Sequence, residues 1–145
     1  MFLKEKNFNF RFRRCYYMKT ATTEGVQISV SIRFRSDLSD LFQDKYFFNY
    51  RIEIQNNNTF EIQLIHRDWI IFDSLEEVSF VSGEGVVGEQ PILNTGQKYA
   101  YVSGCELSSE IGQMKGFYTF KRLENDALFQ VHIPQFDLIY PGKLN

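Results

Sequence analysis

Val26-Gln27-Ile28-Ser29-Val30-Ser31-Ile32-Arg33-Phe34 alternates apolar and polar residues without a break. Successive side chains of a strand point to opposite faces, so this run is a half-buried strand with one wet face, the pattern of an antiparallel sheet. The same period returns at Tyr46, Phe48, Tyr50, Ile52 and Ile54, and again at Phe60, Ile62 and Leu64. Residues 37–44 interrupt it with Leu38, Leu41 and Phe42 among polar neighbours, a loop or one helical turn. Asn56-Asn57-Asn58 can reach left-handed backbone angles at low cost, which predicts a hairpin pairing the third strand with the second. Beyond Leu64 the apolar phase moves to Ile65, Trp69 and Ile71, with Ile70 and Phe72 on the other face, so a bulge or two-sided burial is expected there. Trp69 is assigned to the space between two sheets.

The remainder reads as further short strands at residues 78–82, 98–102, 114–122 and 128–133, with residues 136–140 closing one edge. Turns separate them at residues 74–77, 104–112 and 124–126. Seven or eight such strands without a long helix make an all-β, antiparallel β-sandwich of immunoglobulin-like form. Its core is predicted to include Ile28, Val30, Tyr50, Ile52, Trp69, Tyr101, Tyr118, Val131 and Ile133.

At 145 residues the chain fits one domain that can bury a core without cross-links. The 43% hydrophobic and 17% aromatic content, with 15 Phe and 8 Tyr, favours a packed β protein over a disordered one. Cys15 and Cys105 form no C-x-x-C spacing and follow no secretory signal, which predicts free thiols and a cytoplasmic location. The longest apolar runs, such as Trp69-Ile70-Ile71-Phe72, are far short of a membrane span. Residues 1–17 carry Lys4, Lys6, Arg11, Arg13 and Arg14 against Glu5, so the net charge of −2 divides into +4 there and −6 in the body. A weakly acidic body without a basic stripe argues against a nucleic-acid surface. Residues 1–17 are set apart as an N-terminal extension, disordered or preceding the true start at Met18, with residues 18–145 forming the domain.

The least ordinary run is Gly83-Glu84-Gly85-Val86-Val87-Gly88-Glu89-Gln90-Pro91, with glycines at G-x-G-x-x-G spacing. A dinucleotide fingerprint requires a helix behind it, whereas here β-branched Val86 and Val87 and then Pro91 follow. Together with Tyr101-Val102-Ser103-Gly104 and Met114-Lys115-Gly116-Phe117-Tyr118, the run resembles the ApaG family, also called CorD, over about residues 25–140. The resemblance implies an immunoglobulin-like or fibronectin type III-like sandwich and a link to cobalt and magnesium resistance. With no membrane span, that link is indirect. Similar domains in eukaryotic adaptor proteins imply protein binding. Asn94-Thr95-Gly96 departs from the family's usual Pro-Gly turn.

Residues 83–91 are therefore the candidate binding surface for a protein partner, with Val86 and Val87 as its apolar contact. An alternative is weak binding of pyrophosphate or a nucleotide in a nest of backbone N–H groups. Glu84 and Glu89 oppose it, and no Lys or Arg occurs in residues 74–97, so a divalent cation would be required. Arg67 is the nearest cation along the chain. His66 and His132 lack metal-ligand spacing, although His66 and Asp68 would share a strand face. With neither G-x-S-x-G nor a Cys and His signature, the chain reads as non-enzymatic, without cofactor, metal or catalytic residues. Glu84 and Glu89 read as solvated carboxylates rather than an acid and base pair.

Overall fold

The computed structural model describes the backbone of residues 18–144 and the side chains of residues 18–142. The assignments made above for residues 1–17, Cys15 included, lie outside the described residues.

Nine strands form two antiparallel sheets among the described residues: β1 (Met18–Thr23), β2 (Val26–Phe34), β3 (Tyr46–Asn56), β4 (Ile62–Asp73), β5 (Ser79–Glu84), β6 (Ile92–Leu93), β7 (Lys98–Leu107), β8 (Ile111–Arg122) and β9 (Ala127–Ile139). The first sheet has the order β1-β2-β3-β7, the second β5-β4-β8-β9, with β6 also on β4. Two short 3-10 turns, Ser36–Leu38 and Leu41–Gln43, occupy the interruption between β2 and β3. The strands at 98–102 and 114–122 are longer than expected, reaching Leu107 and starting at Ile111, but they lie in opposite sheets, β7 on β3 and β8 on β4, so the link between them crosses the sandwich; residues 128–133 and 136–140 fall largely in the single strand β9.

The alternation sorts side chains as expected. Val26, Ile28 and Val30 of β2 and Tyr50, Ile52 and Ile54 of β3 are buried against Ile62, Leu64, Trp69, Tyr118, Phe120, Val131 and Ile133 of the second sheet. Trp69 sits between the sheets, 5.5 Å from the Tyr50 ring and 5.9 Å from the Phe136 ring. The predicted phase change is a β-bulge between Leu64 and His66, where register against β8 shifts.

One expectation is overturned: β4 does not pair with β3. Both edges of β3 are taken, by β2 and by β7, and the three asparagines carry the chain to the other sheet. Asn56 is fully buried, and its Nδ2 donates to the carbonyls of Phe60 (2.9 Å) and Leu93 (3.0 Å) while its Oδ1 accepts from the Asn58 amide (3.0 Å). A buried amide satisfying the corner internally allows the chain to leave a sheet there.

The two lateral seams of the sandwich differ. On one side β1 meets β9, joined by Lys19 Nζ to the Gln135 carbonyl at 2.9 Å. On the other, β7 and β5 end their sheets, and the glycine run lies between them.

Candidate functional site

Gly83 and Glu84 complete β5, so the loop is shorter than the sequence reading. Gly85 turns the chain with φ +58°, and a Cβ there would lie 2.0 Å from the Glu89 carbonyl oxygen, so no other residue fits. Val86 and Glu89 then exchange amide-to-carbonyl bonds of 2.8 and 2.9 Å around Val87 (φ 44°) and Gly88 (φ 78°). Two successive left-handed residues form the mirror-image turn that suits a hairpin's twist. A β-branched residue there costs about 1–2 kcal/mol. The turn tolerates this because Val86 is fully buried and Val87 packs on the core. These two valines are therefore anchors, which corrects their assignment as the contact surface; among the loop residues only Glu84, Gly88 and Gln90 are exposed.

Bonds to two strands, β4 and β7, hold the turn in place. The bulge frees the Ile65 carbonyl to accept from the Gly85 amide (2.8 Å) and Gln90 Nε2 (3.0 Å). Arg67 Nη1 donates to the carbonyls of Glu84 and Gly85, both at 2.9 Å. From β7, the Tyr99 hydroxyl donates to Glu89 Oε2 at 2.9 Å, and burial followed by that acceptor pushes the phenol up to about 12. Beneath the turn lie Tyr50, Tyr101 and Tyr118, the last two bonded through their hydroxyls. Burial pushes Tyr50 up to about 12 and raises Tyr101 and Tyr118 well above the usual phenol range.

This packing leaves a cavity of about 10 Å³ lined by Arg67, Trp69, Val86, Val87 and Tyr101, room for about one water. The amides of Gly85, Val86 and Glu89 all point to acceptors in the chain, leaving those of Val87 and Gly88 to form any anion nest. Arg67 does fold toward the run, as its place in the sequence allowed, but its guanidinium serves carbonyls of the turn.

The sequence reading passed over the strand beside this turn. Phe80 of β5 is 75% exposed, and Val78 (46%) and Phe72 (45%) lie near it on the outer side of the sheet. The Phe80 position is paired with Ile70 of β4, and Asp68 accepts from the Ser82 hydroxyl. His66 Nε2 is 3.9 Å from Asp68 Oδ1, on the shared face the spacing predicted. Among the described residues no three His, Cys, Asp or Glu side chains are grouped to hold a metal ion.

At the opposite end of β4, buried Asp73 accepts from the Ser108 amide (2.6 Å), the Leu75 amide (3.2 Å) and the Ser109 hydroxyl (2.5 Å). These bonds tie the β7–β8 turn to the β4–β5 turn beside a cleft of about 310 Å³ that reaches Asp44, Tyr46 and Glu110. Cys105 is a free, buried thiol that burial pushes up to about 11, which makes it a poor nucleophile.

The family profile described as ApaG domain matches residues 36–122, which take in β3 to β8 and the whole glycine turn. This chain belongs to the ApaG domain family. It is 39% identical to Protein ApaG of Methylorubrum extorquens (strain PA1), over 86% of this chain and 95% of that one. With Protein ApaG of Anaeromyxobacter dehalogenans it shares 39% identity, over 88% of this chain and all of the relative. In three dimensions it is similar to a Bordetella pertussis protein solved by crystallography under the name ApaA, with TM-score 0.76, 41% identity, and 80% and 94% of the two chains covered. A second X-ray structure matches with TM-score 0.77 and 32% identity, over 86% of this chain and 94% of that one. Among the described residues no helix is long and apolar enough to cross a membrane.

Proposed function

We propose that this ApaG-family sandwich is a non-catalytic protein-interaction module whose contact surface joins the turn at residues 83–91 to the outer face of β5. The observation that carries this reading is Phe80, a large aromatic residue 75% exposed on a sheet's last strand, beside a turn held by bonds to β4 and β7. A rigid scaffold presenting an exposed aromatic lowers the ordering cost of binding. Pull-down with the wild type and with a Phe80→Ser/Gln90→Ala variant of unchanged thermal stability tests it. Loss of partners in the variant supports the surface; identical partner sets remove it, and reproducible turnover of a small molecule overturns the class.

The alternative is weak, metal-assisted binding of pyrophosphate or a nucleotide at residues 83–88, with an indirect part in cobalt and magnesium homeostasis. The engaged amides of Gly85 and Val86 favour the interaction reading over it. Calorimetry with pyrophosphate, with and without magnesium, separates the two: heat seen only with the cation favours the alternative.

A further inference from the structure

The register between β4 and β5 determines where the backbone of β5 points. Gly85 donates its amide to Ile65, and the pairs Arg67 with Gly83, Trp69 with Val81 and Ile71 with Ser79 follow at intervals of two. In an antiparallel ladder, directly bonded pairs alternate with non-bonded ones. The amides and carbonyls of Phe80 and Ser82, and the amide of Glu84, therefore point away from β4 along an edge that no other strand covers among the described residues. Edge strands are ordinarily guarded by Lys, Pro or a bulge. Ser79–Glu84 has none of these.

The charged residues of β5 and its flanks, residues 74–97, are all glutamates, and the Arg67 guanidinium of β4 reaches the Glu84 carbonyl at one end. Glu76 and Glu77 lie where the chain enters β5 and Glu84 where it leaves, all exposed and outside any ion pair among the described residues. Glu84 stands four residues from Phe80, about 13 Å along the extended strand at ~3.3 Å per residue, whereas Glu76 and Glu77 lie in the turn and linker that precede Ser79. Self-pairing of two antiparallel β5 strands would bring the glutamates of one copy to those of the other. That charge pattern disfavours a second copy and favours a strand carrying positive charge at both ends.

We propose that the β5 edge accepts an extended peptide segment of a partner protein by strand addition, with an apolar residue facing Phe80 and Lys or Arg about four positions to either side. Main-chain bonds to Phe80 and Ser82 supply affinity, and the end charges supply selection. With glutamates near both ends of β5, a peptide charged at both ends suits either strand direction. This inference rests on the interaction reading above and names its mode.

The test uses the whole chain labelled with nitrogen-15 and the synthetic peptide Lys-Thr-Val-Thr-Phe-Thr-Val-Thr-Lys. In the free protein, the amides of Phe80 and Ser82 should exchange fast while those of Val81 and Gly83 are protected. Peptide should slow exchange at Phe80 and Ser82 at least tenfold, and a Glu-ended peptide should bind at least about tenfold more weakly at low salt. Phe80→Lys, at an exposed site, should abolish binding of the Lys-ended peptide while leaving thermal stability unchanged. Equal affinity for both peptides, binding without protection of Phe80 and Ser82, or no binding at millimolar peptide would each overturn strand addition. So would sedimentation showing a dimer in which those amides are already protected. If the peptide fails while Phe80→Ser/Gln90→Ala still loses its partners in pull-down, strand addition falls and the interaction reading stands; failure of both experiments removes both.

Discussion

At Gly85 two constraints coincide: a left-handed φ of +58° and a carbonyl 2.0 Å from where a Cβ would sit. At Gly96, by contrast, φ is +77° and nothing lies within 4 Å of the added atom. Comparing alanine at the two positions separates strain from collision. Gly96→Ala should cost only the left-handed penalty of about 1–2 kcal/mol. Gly85→Ala must also displace backbone, so it should cost at least ~3 kcal/mol or leave the turn unfolded. Urea denaturation of the two variants beside the wild type measures both, and equal costs would show that the Glu89 carbonyl yields easily.

Strand-scale organisation depends on Asn56, where the chain leaves one sheet for the other. Its side chain makes three bonds in a fully buried site, two as donor and one as acceptor. Asn56→Ala leaves the carbonyls of Phe60 and Leu93 without this donor and the Asn58 amide without this acceptor. At about 1–3 kcal/mol for each buried group left unsatisfied, with partial relaxation, we expect a loss of ~2–4 kcal/mol. Asn56→Asp should be equally harmful, because a carboxylate cannot donate to the two carbonyls. A change below about 0.5 kcal/mol for Asn56→Ala would mean that the corner is held by the backbone bonds of Asn57 to Gly25 and Gly96 to Asn56 instead.

Across the whole molecule, the tyrosines buried between the sheets make stability depend on alkaline pH. Tyr50 is pushed up to about 12, and Tyr101 and Tyr118 are raised well above the ordinary value of 10.0. Below pH 10 both folded and unfolded chains keep these protons, so their contribution is complete. Above it the unfolded chain ionises first, holds fewer protons than the folded one, and is favoured. Each buried phenol should then cost stability at a rate that approaches about 1.4 kcal/mol per pH unit until its folded pKa is passed; with the unfolded phenol half ionised at pH 10, the three together remove about 3 kcal/mol between pH 10 and 11. Urea midpoints should be flat from pH 7 to 9 and fall steeply above 10, with tyrosinate absorbance appearing together with unfolding. Tyrosinate absorbance from all three in the still-folded protein at pH 10.5 would contradict this.

Local pattern alone determined most of the strands though not β1 or β6, the phase change after Leu64, the burial of Trp69 and the two-sheet class, because a period of two expresses only backbone geometry and the exclusion of apolar faces from water. The motif residues around Gly85 and Gly116 were also enough to point to the ApaG family. Which strands pair was decided by tertiary structure: Asn56-Asn57-Asn58 has the same turn chemistry whether it closes a hairpin or switches sheets, and only occupation of both edges of β3 selects the switch. The same holds at the candidate site. Val86 and Val87 look like exposed loop residues until the turn folds inward, and Arg67 meets Glu84 and Gly85 only through β4–β5 pairing. Phe80 reads as one more strand residue; its exposure goes with β5 having, among the described residues, no strand on its far side, a property of the assembled sheet that no local run of sequence carries.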